Sequence, residues 1–212
     1  MSKKIIYLDI EDDNMYSGMD AISFVDEPAT QIDWHAFNKQ EKEAKKKELF
    51  TTNMVQRIVT SPVMLAETEI YRYSQELGEY YVKFSAETIR RMRNKYMMEG
   101  KQNMINLNHD ATKRVQDVFM VESYITGDKV KSELFDVPDG TWIASFYIAN
   151  DKYWNEFVMS GEFNGFSLEG AFIENYESMN LEKKKDLMKE IMESEKHDLV
   201  KLKLIEKILT NG

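Results

Sequence analysis

The sequence has no cysteine, and that absence removes disulfides, thiolate metal sites and a cysteine nucleophile together. Histidine is nearly as scarce, so imidazole chemistry has only three candidates: His35, His109 and His197. No stretch approaches eighteen consecutive apolar residues, which excludes an encoded membrane-spanning helix. An excess of basic charge is missing too. Lys and Arg number 28 against 37 Asp and Glu, a formal net charge of −9. That balance argues against a direct nucleic-acid binder, because phosphate binding needs clustered cations. The opening MSKKIIYLDIEDD lacks the long apolar region and small-residue cleavage site of a signal peptide, and reads as the first strand of a cytoplasmic protein. What is present suits a globular core: 212 residues, 42% hydrophobic and 12% aromatic, enough for one domain and an appendage.

KIIYLDI (residues 4–10) and AISFV (21–25) carry strand patterns, and Pro28 ends the second of them. Residues 38–50 form a charged run without apolar spacing, read as a linker or insert. MVQRIVTSPVM, EIYRY and EYYVKF are rich in β-branched and aromatic residues and are separated by Pro62, Glu67 or Gly78. Ser85 is an expected N-cap, with Thr88 three residues on and Ile89, Met92 and Tyr96 at helical spacing before Gly100. NMINL then runs into Asn108, His109 and Asp110. VQDVFMVESYI and WIASFYIA are further strands, Asp151 is an expected cap of a short helix, and GFSLEGAFI is a glycine-flanked strand. Beyond Asn175 the residues are nearly all helix formers, with Leu187–Ile191 and Val200–Leu204–Ile208 at i, i+4 spacing. This predicts one or two amphipathic helices, packed on the domain or forming an interaction tail. Strands with isolated helices and no regular βαβ alternation predict an α+β fold: a mainly antiparallel β-barrel core with flanking helices and a C-terminal helical tail.

Two residues stand out for chemistry. His109 ends an apolar strand and is followed by an acid, whereas His35 lies in a loop and His197 in the charged tail. Ser167 sits in Gly165-Phe166-Ser167-Leu168-Glu169-Gly170, where period-two alternation puts Ser167 and Glu169 on one face. Glycines beside a nucleophile let another backbone approach closely and can free N–H groups for an oxyanion. The motif is not a nucleophile elbow, because its second glycine comes one residue late. A serine hydroxyl needs a base, and a histidine base needs an orienting group. Asp110, Glu122 and Glu169 are the acids at hand, and the residues do not choose between the last two. Asp9, Glu11, Asp12 and Asp13 could hold a hard cation, but their spacing is not that of an EF-hand and suits a solvated turn. A metal-assisted hydrolase built on His109 and Asp110 lacks a second suitably placed histidine.

NLNHD, VESYI, PDGTWIASFYIANDKYW and GEFNGFSLEG, in that order, resemble the signature of the XkdF-like phage serine proteases. AISFVDEPA and SPVMLAETEIYRY are also similar to segments of that family, and the likeness covers roughly residues 20–175. The resemblance implies a tailed-phage prohead maturation protease with a herpesvirus-assemblin-like fold, His109 as base and Ser167 as nucleophile. Glu169 and Glu122 are carried as candidates for the third member. It also implies that scaffold and major capsid proteins are the substrates, cleaved in the host cytoplasm within the assembling procapsid. No cofactor and no metal are expected; a homo-oligomer fits the family, and neither membrane nor nucleic acid is an expected partner. The expected division is a protease core over 1–175 and a helical tail over 176–212. The competing reading is a non-catalytic capsid-assembly or scaffold-binding protein on the same fold.

Overall fold

The structure is a computed structural model that describes residues 4–26, 35–36, 56–75, 77–160, 162–163, 165–175, 181–194 and 196–210. The charged run over 38–50, Pro28 and Gly161 lie outside the described residues. The fold is α+β. The strands are β1 (Ile5–Asp9), β2 (Gly18–Val25), β3 (His35–Ala36), β4 (Ile58–Met64), β5 (Ile70–Ser74), β6 (Gly78–Phe84), β7 (Ile105–Leu107), β8 (Asp110–Arg114), β9 (Val118–Ile125), β10 (Trp142–Ile148), β11 (Gly165–Ala171) and β12 (Ile173–Asn175). The helices are α1 (Ala86–Met98), α2 (Asp151–Tyr153), which continues into a π-helical turn at Trp154–Met159, α3 (Leu181–Glu193) and α4 (Asp198–Thr210).

The strands form three four-stranded sheets, ordered β12-β1-β6-β5, β3-β4-β10-β9 and β11-β2-β7-β8, and no closed barrel is found among the described residues. Most pairings are antiparallel, but β1–β6 and β2–β7 are parallel. Those two pairings are long-range in sequence, which is why strand-by-strand reading predicts neither of them.

The sheets meet on aromatic side chains. Phe24 of β2 stacks on Phe166 of β11 at 5.2 Å, and both meet Phe146 of β10 edge-on, at 5.7 and 5.1 Å. Helix α1 closes this core. Its cap is the expected one: the Ser85 hydroxyl accepts from the Thr88 N–H at 3.0 Å. Ile89, Met92 and Tyr96 point inward, Tyr96 against Trp142 at 5.8 Å. Gly100, at φ +70°, takes the left-handed conformation that stops the helix.

Two expectations are corrected. Pro62 lies inside β4 rather than between strands, opposite Ile143 at a register irregularity where a residue without an N–H fits. The cap of α2 is Asn150, whose side-chain oxygen accepts from the N–H groups of Lys152 and Tyr153 at 3.0 and 3.2 Å; Asp151 is the first helical residue.

The C-terminal segment forms two helices. Leu187, Ile191, Leu204 and Ile208 bury against Ile6 and Leu77 in a cluster separate from the main core. Lys4 pairs with Glu190 at 3.1 Å, and Lys207 pairs with Glu174. Each buried Leu or Ile contributes about 1.5–3 kcal/mol, so the helices are packed on the domain through the face that the i, i+4 spacing predicts.

Candidate functional site

Three strands each interrupt an apolar run with one polar residue: Ile22-Ser23-Phe24, Ile105-Asn106-Leu107 and Phe166-Ser167-Leu168. Strand register aligns them. Ser167 pairs with Ser23, and Ser23 pairs with Asn106, so the three polar residues form one row across β11, β2 and β7. Alternation sends their flanking residues, including Phe24 and Phe166, to the core side and leaves Ser167 and Glu169 on the opposite face.

His109 enters this face from a turn. Leu107 pairs with Asp110, so Asn108 and His109 are the two central residues of a hairpin between β7 and β8. The chain therefore does not leave the sheet after His109 but folds straight back. Both residues have positive φ, 48° and 60°. Such two-residue turns demand this conformation and favour Asn followed by Gly. Histidine at the second position is strained, and strain of this kind gathers at functional sites.

The Nδ1 atom of His109 lies 3.2 Å from Glu169 Oε1 and 3.3 Å from Ser23 Oγ. The same Glu169 oxygen accepts from the Ser23 hydroxyl at 2.6 Å and from Asn106 Nδ2 at 2.7 Å, while Ser23 Oγ lies 2.5 Å from Asn106 Oδ1. Ser23 has one proton and two oxygen acceptors beside it, so it has none left for Nδ1. A bare Nδ1 would face a carboxylate lone pair. Nδ1 therefore carries the proton of the neutral ring, and Nε2 is left as the basic nitrogen. Burial by itself would raise the Glu169 carboxyl. The hydrogen bonds from Ser23, Asn106 and His109 together outweigh burial and hold it below the ordinary carboxylate range.

Among the described residues Ser167 has no side-chain hydrogen-bond partner. It is 9% exposed, whereas Ser23 is at 0%. Ser167 also borders a cavity of about 130 Å³ lined by Val63, Met64, Phe84, Phe166, Leu168 and neighbouring apolar side chains. Gly170, the second glycine of the motif, marks a close approach: a Cβ there would sit 2.1 Å from the carbonyl oxygen of Gly18.

The structure thus brings together His109, Glu169 and the row that includes Ser167, but not Glu122. That residue lies on β9 in another sheet, where its carboxylate accepts from Ser145 at 2.7 Å. Asp110 turns to Thr112 and Lys113. Asp9 and Asp12 are ion-paired with Arg91 at 3.0 and 3.1 Å. His197 Nδ1 accepts from the Leu199 N–H at the start of α4. The sequence reading missed Ser23 and Asn106. Their signal was the lone polar residue at the centre of an apolar strand.

Comparison with known proteins bears on this site from one direction only. No curated protein and no solved structure matches the chain. A family model does, over residues 46–177, and its description is "Putative phage serine protease XkdF". That span includes His109, Ser167, Glu169 and Asn106 but begins after Ser23. Because it covers more than half of the 212 residues, the chain belongs to the XkdF family of phage serine proteases.

Proposed function

We propose that this protein is a serine endopeptidase of phage head maturation, with Ser167 as nucleophile, His109 as general base and Glu169 as the group that orients the base. It acts in the infected host, on scaffold and capsid-protein segments of the assembling procapsid. The observation that carries the reading is the 3.2 Å contact between His109 Nδ1 and Glu169 Oε1, with Ser167 two residues upstream on the same strand face. The chemistry follows from the protonation pattern. Nε2 takes the Ser167 proton as the oxygen attacks the scissile carbonyl, and the imidazolium, stabilised by Glu169, returns that proton to the leaving amine. Water then hydrolyses the acyl-enzyme with the same base. The His109 side chain is 46% exposed, so the ring is open to a substrate. The cavity beside Ser167 offers room for one apolar substrate side chain.

The Ser23 hydroxyl lies 3.3 Å from Nδ1 of the His109 ring, which raises it as a rival nucleophile. Its complete burial and its bonds to Asn106 and Glu169 argue against that role, because no scissile carbonyl reaches it. Labelling with a fluorophosphonate, followed by peptide mapping, tests both readings. The expected adduct is on Ser167 and needs His109. An adduct on Ser23 would replace the assignment. Scaffold processing retained by Ser167→Ala in infected cells would leave a non-catalytic assembly role instead.

A further inference from the structure

We propose that Ser23 and Asn106 are positioning residues, which hold the Glu169 carboxylate against Nδ1 of His109 and thereby fix the tautomer and direction of the ring. This rests on the reading of His109 as base and extends it to two residues to which the family match assigns no role, one of them outside the matched span. The argument starts from burial. Ser23 is completely buried and Asn106 is 3% exposed, and polar groups at such positions need hydrogen-bond partners. Asn106 donates Nδ2–H to the Glu169 oxygen, and the single Ser23 proton lies between that oxygen and the Asn106 Oδ1.

The orientation of the Asn106 amide is dictated by chemistry. A carboxylate oxygen only accepts, so Nδ2 must face Glu169 and Oδ1 must face Ser23. Glutamate is a long side chain with free torsions, and one bond to a surface histidine would not hold it. Two donors from two neighbouring strands do hold it, because β2 and β7 are fixed to each other by the sheet. A ring whose Nδ1–H has one fixed acceptor has one direction for Nε2. Rigid support of this kind is what a reactive side chain on a strained hairpin turn requires.

The test is nitrogen-15 NMR of the full chain, where three histidines make assignment direct. The wild-type His109 ring is expected as the Nδ1–H tautomer. Glu169→Gln gives the limit of lost anchoring. Ser23→Ala and the near-isosteric Asn106→Leu are expected to move the tautomer ratio part of the way to that limit. Ser23→Thr, which keeps the hydroxyl, is expected to restore it. On a cleaved peptide, kcat should fall about 10–100-fold in Ser23→Ala and Asn106→Leu with KM nearly unchanged. Ser23→Cys keeps the volume and weakens the donor, and gives the same reading if Ser23→Ala fails to fold. Folded variants with a wild-type His109 tautomer ratio overturn the proposal even if the protein proves to be a protease. The expected NMR changes in a protein that cleaves nothing would uphold the positioning role and overturn the function assigned to the site.

Discussion

Two clusters in this protein share a buried serine bonded to a glutamate and differ in what stands beside that pair. On β10 the Ser145 hydroxyl is within 2.9 Å of Thr60 and donates to Glu122 at 2.7 Å. On β2 the Ser23 hydroxyl lies 2.5 Å from the Asn106 Oδ1 and donates to Glu169 at 2.6 Å. Both serines are fully buried in central strands, and both carboxylates sit on a neighbouring strand or the one beside it. A hydroxyl paired with a carboxylate is therefore one way this fold satisfies polar groups within a sheet, and by itself it signals no chemistry. The second cluster has a histidine delivered by a strained turn, and an adjacent serine in the same row. That addition turns a structural device into a candidate catalytic site. It also separates the two glutamates that the sequence alone left level.

The sharpest way to break the comparison is to remove one polar side chain from each cluster. Ser167→Ala or His109→Ala should reduce peptide cleavage by about 10³-fold or more. Ser145→Ala should leave kcat/KM within about twofold and cost about 1 kcal/mol in urea denaturation. Equal losses of activity would mean that the two clusters are not different in kind. Next come the acids: Glu169→Gln should lower kcat by about 10²–10⁴-fold, and Glu122→Gln by little, in parallel assays on one substrate.

Backbone effects should be smaller and confined to stability. Gly170→Ala should destabilise by about 1–3 kcal/mol, because the added carbon meets the Gly18 carbonyl. His109→Gly should be more stable than His109→Ala by about 1 kcal/mol in thermal melts, since only glycine is at ease at φ 60°. No difference between them would mean that the turn holds no strain. The smallest effect concerns pH. The Glu169 carboxyl is held low in the folded state, so its contribution is complete above its ordinary value of 4.5 and is lost as pH falls through the lowered folded value. The stability gap between wild type and Glu169→Gln should stay constant above about pH 4.5 and close only below it.

Much of this was legible in the residues. The Ser85 cap, the inward stripe of α1 and the buried faces of α3 and α4 follow from local spacing, and local spacing survives into any tertiary context. Ser167 and Glu169 on one face is period-two arithmetic. Ser23 and Asn106 were legible only as polar interruptions of apolar strands. What they interrupt for depends on register, and register is set between strands more than eighty residues apart. Pro62 shows the same limit: a residue that ends many strands is accommodated here because its own strand carries an extra residue, Val63, beside it.

The sequence by itself determined that no thiol chemistry exists, that one histidine sits at a strand end beside an acid, and that a serine shares a strand face with a glutamate. Those are properties of composition and of short-range geometry, which the chain carries in any fold. Only the tertiary structure decided which glutamate meets the histidine, that the histidine turns back within the sheet, and that Ser23 and Asn106 join it. These depend on the parallel pairing of β2 with β7 and the antiparallel pairing of β2 with β11, and a shift of one residue in either would send the slipped strand's polar residue to the other face and break the row.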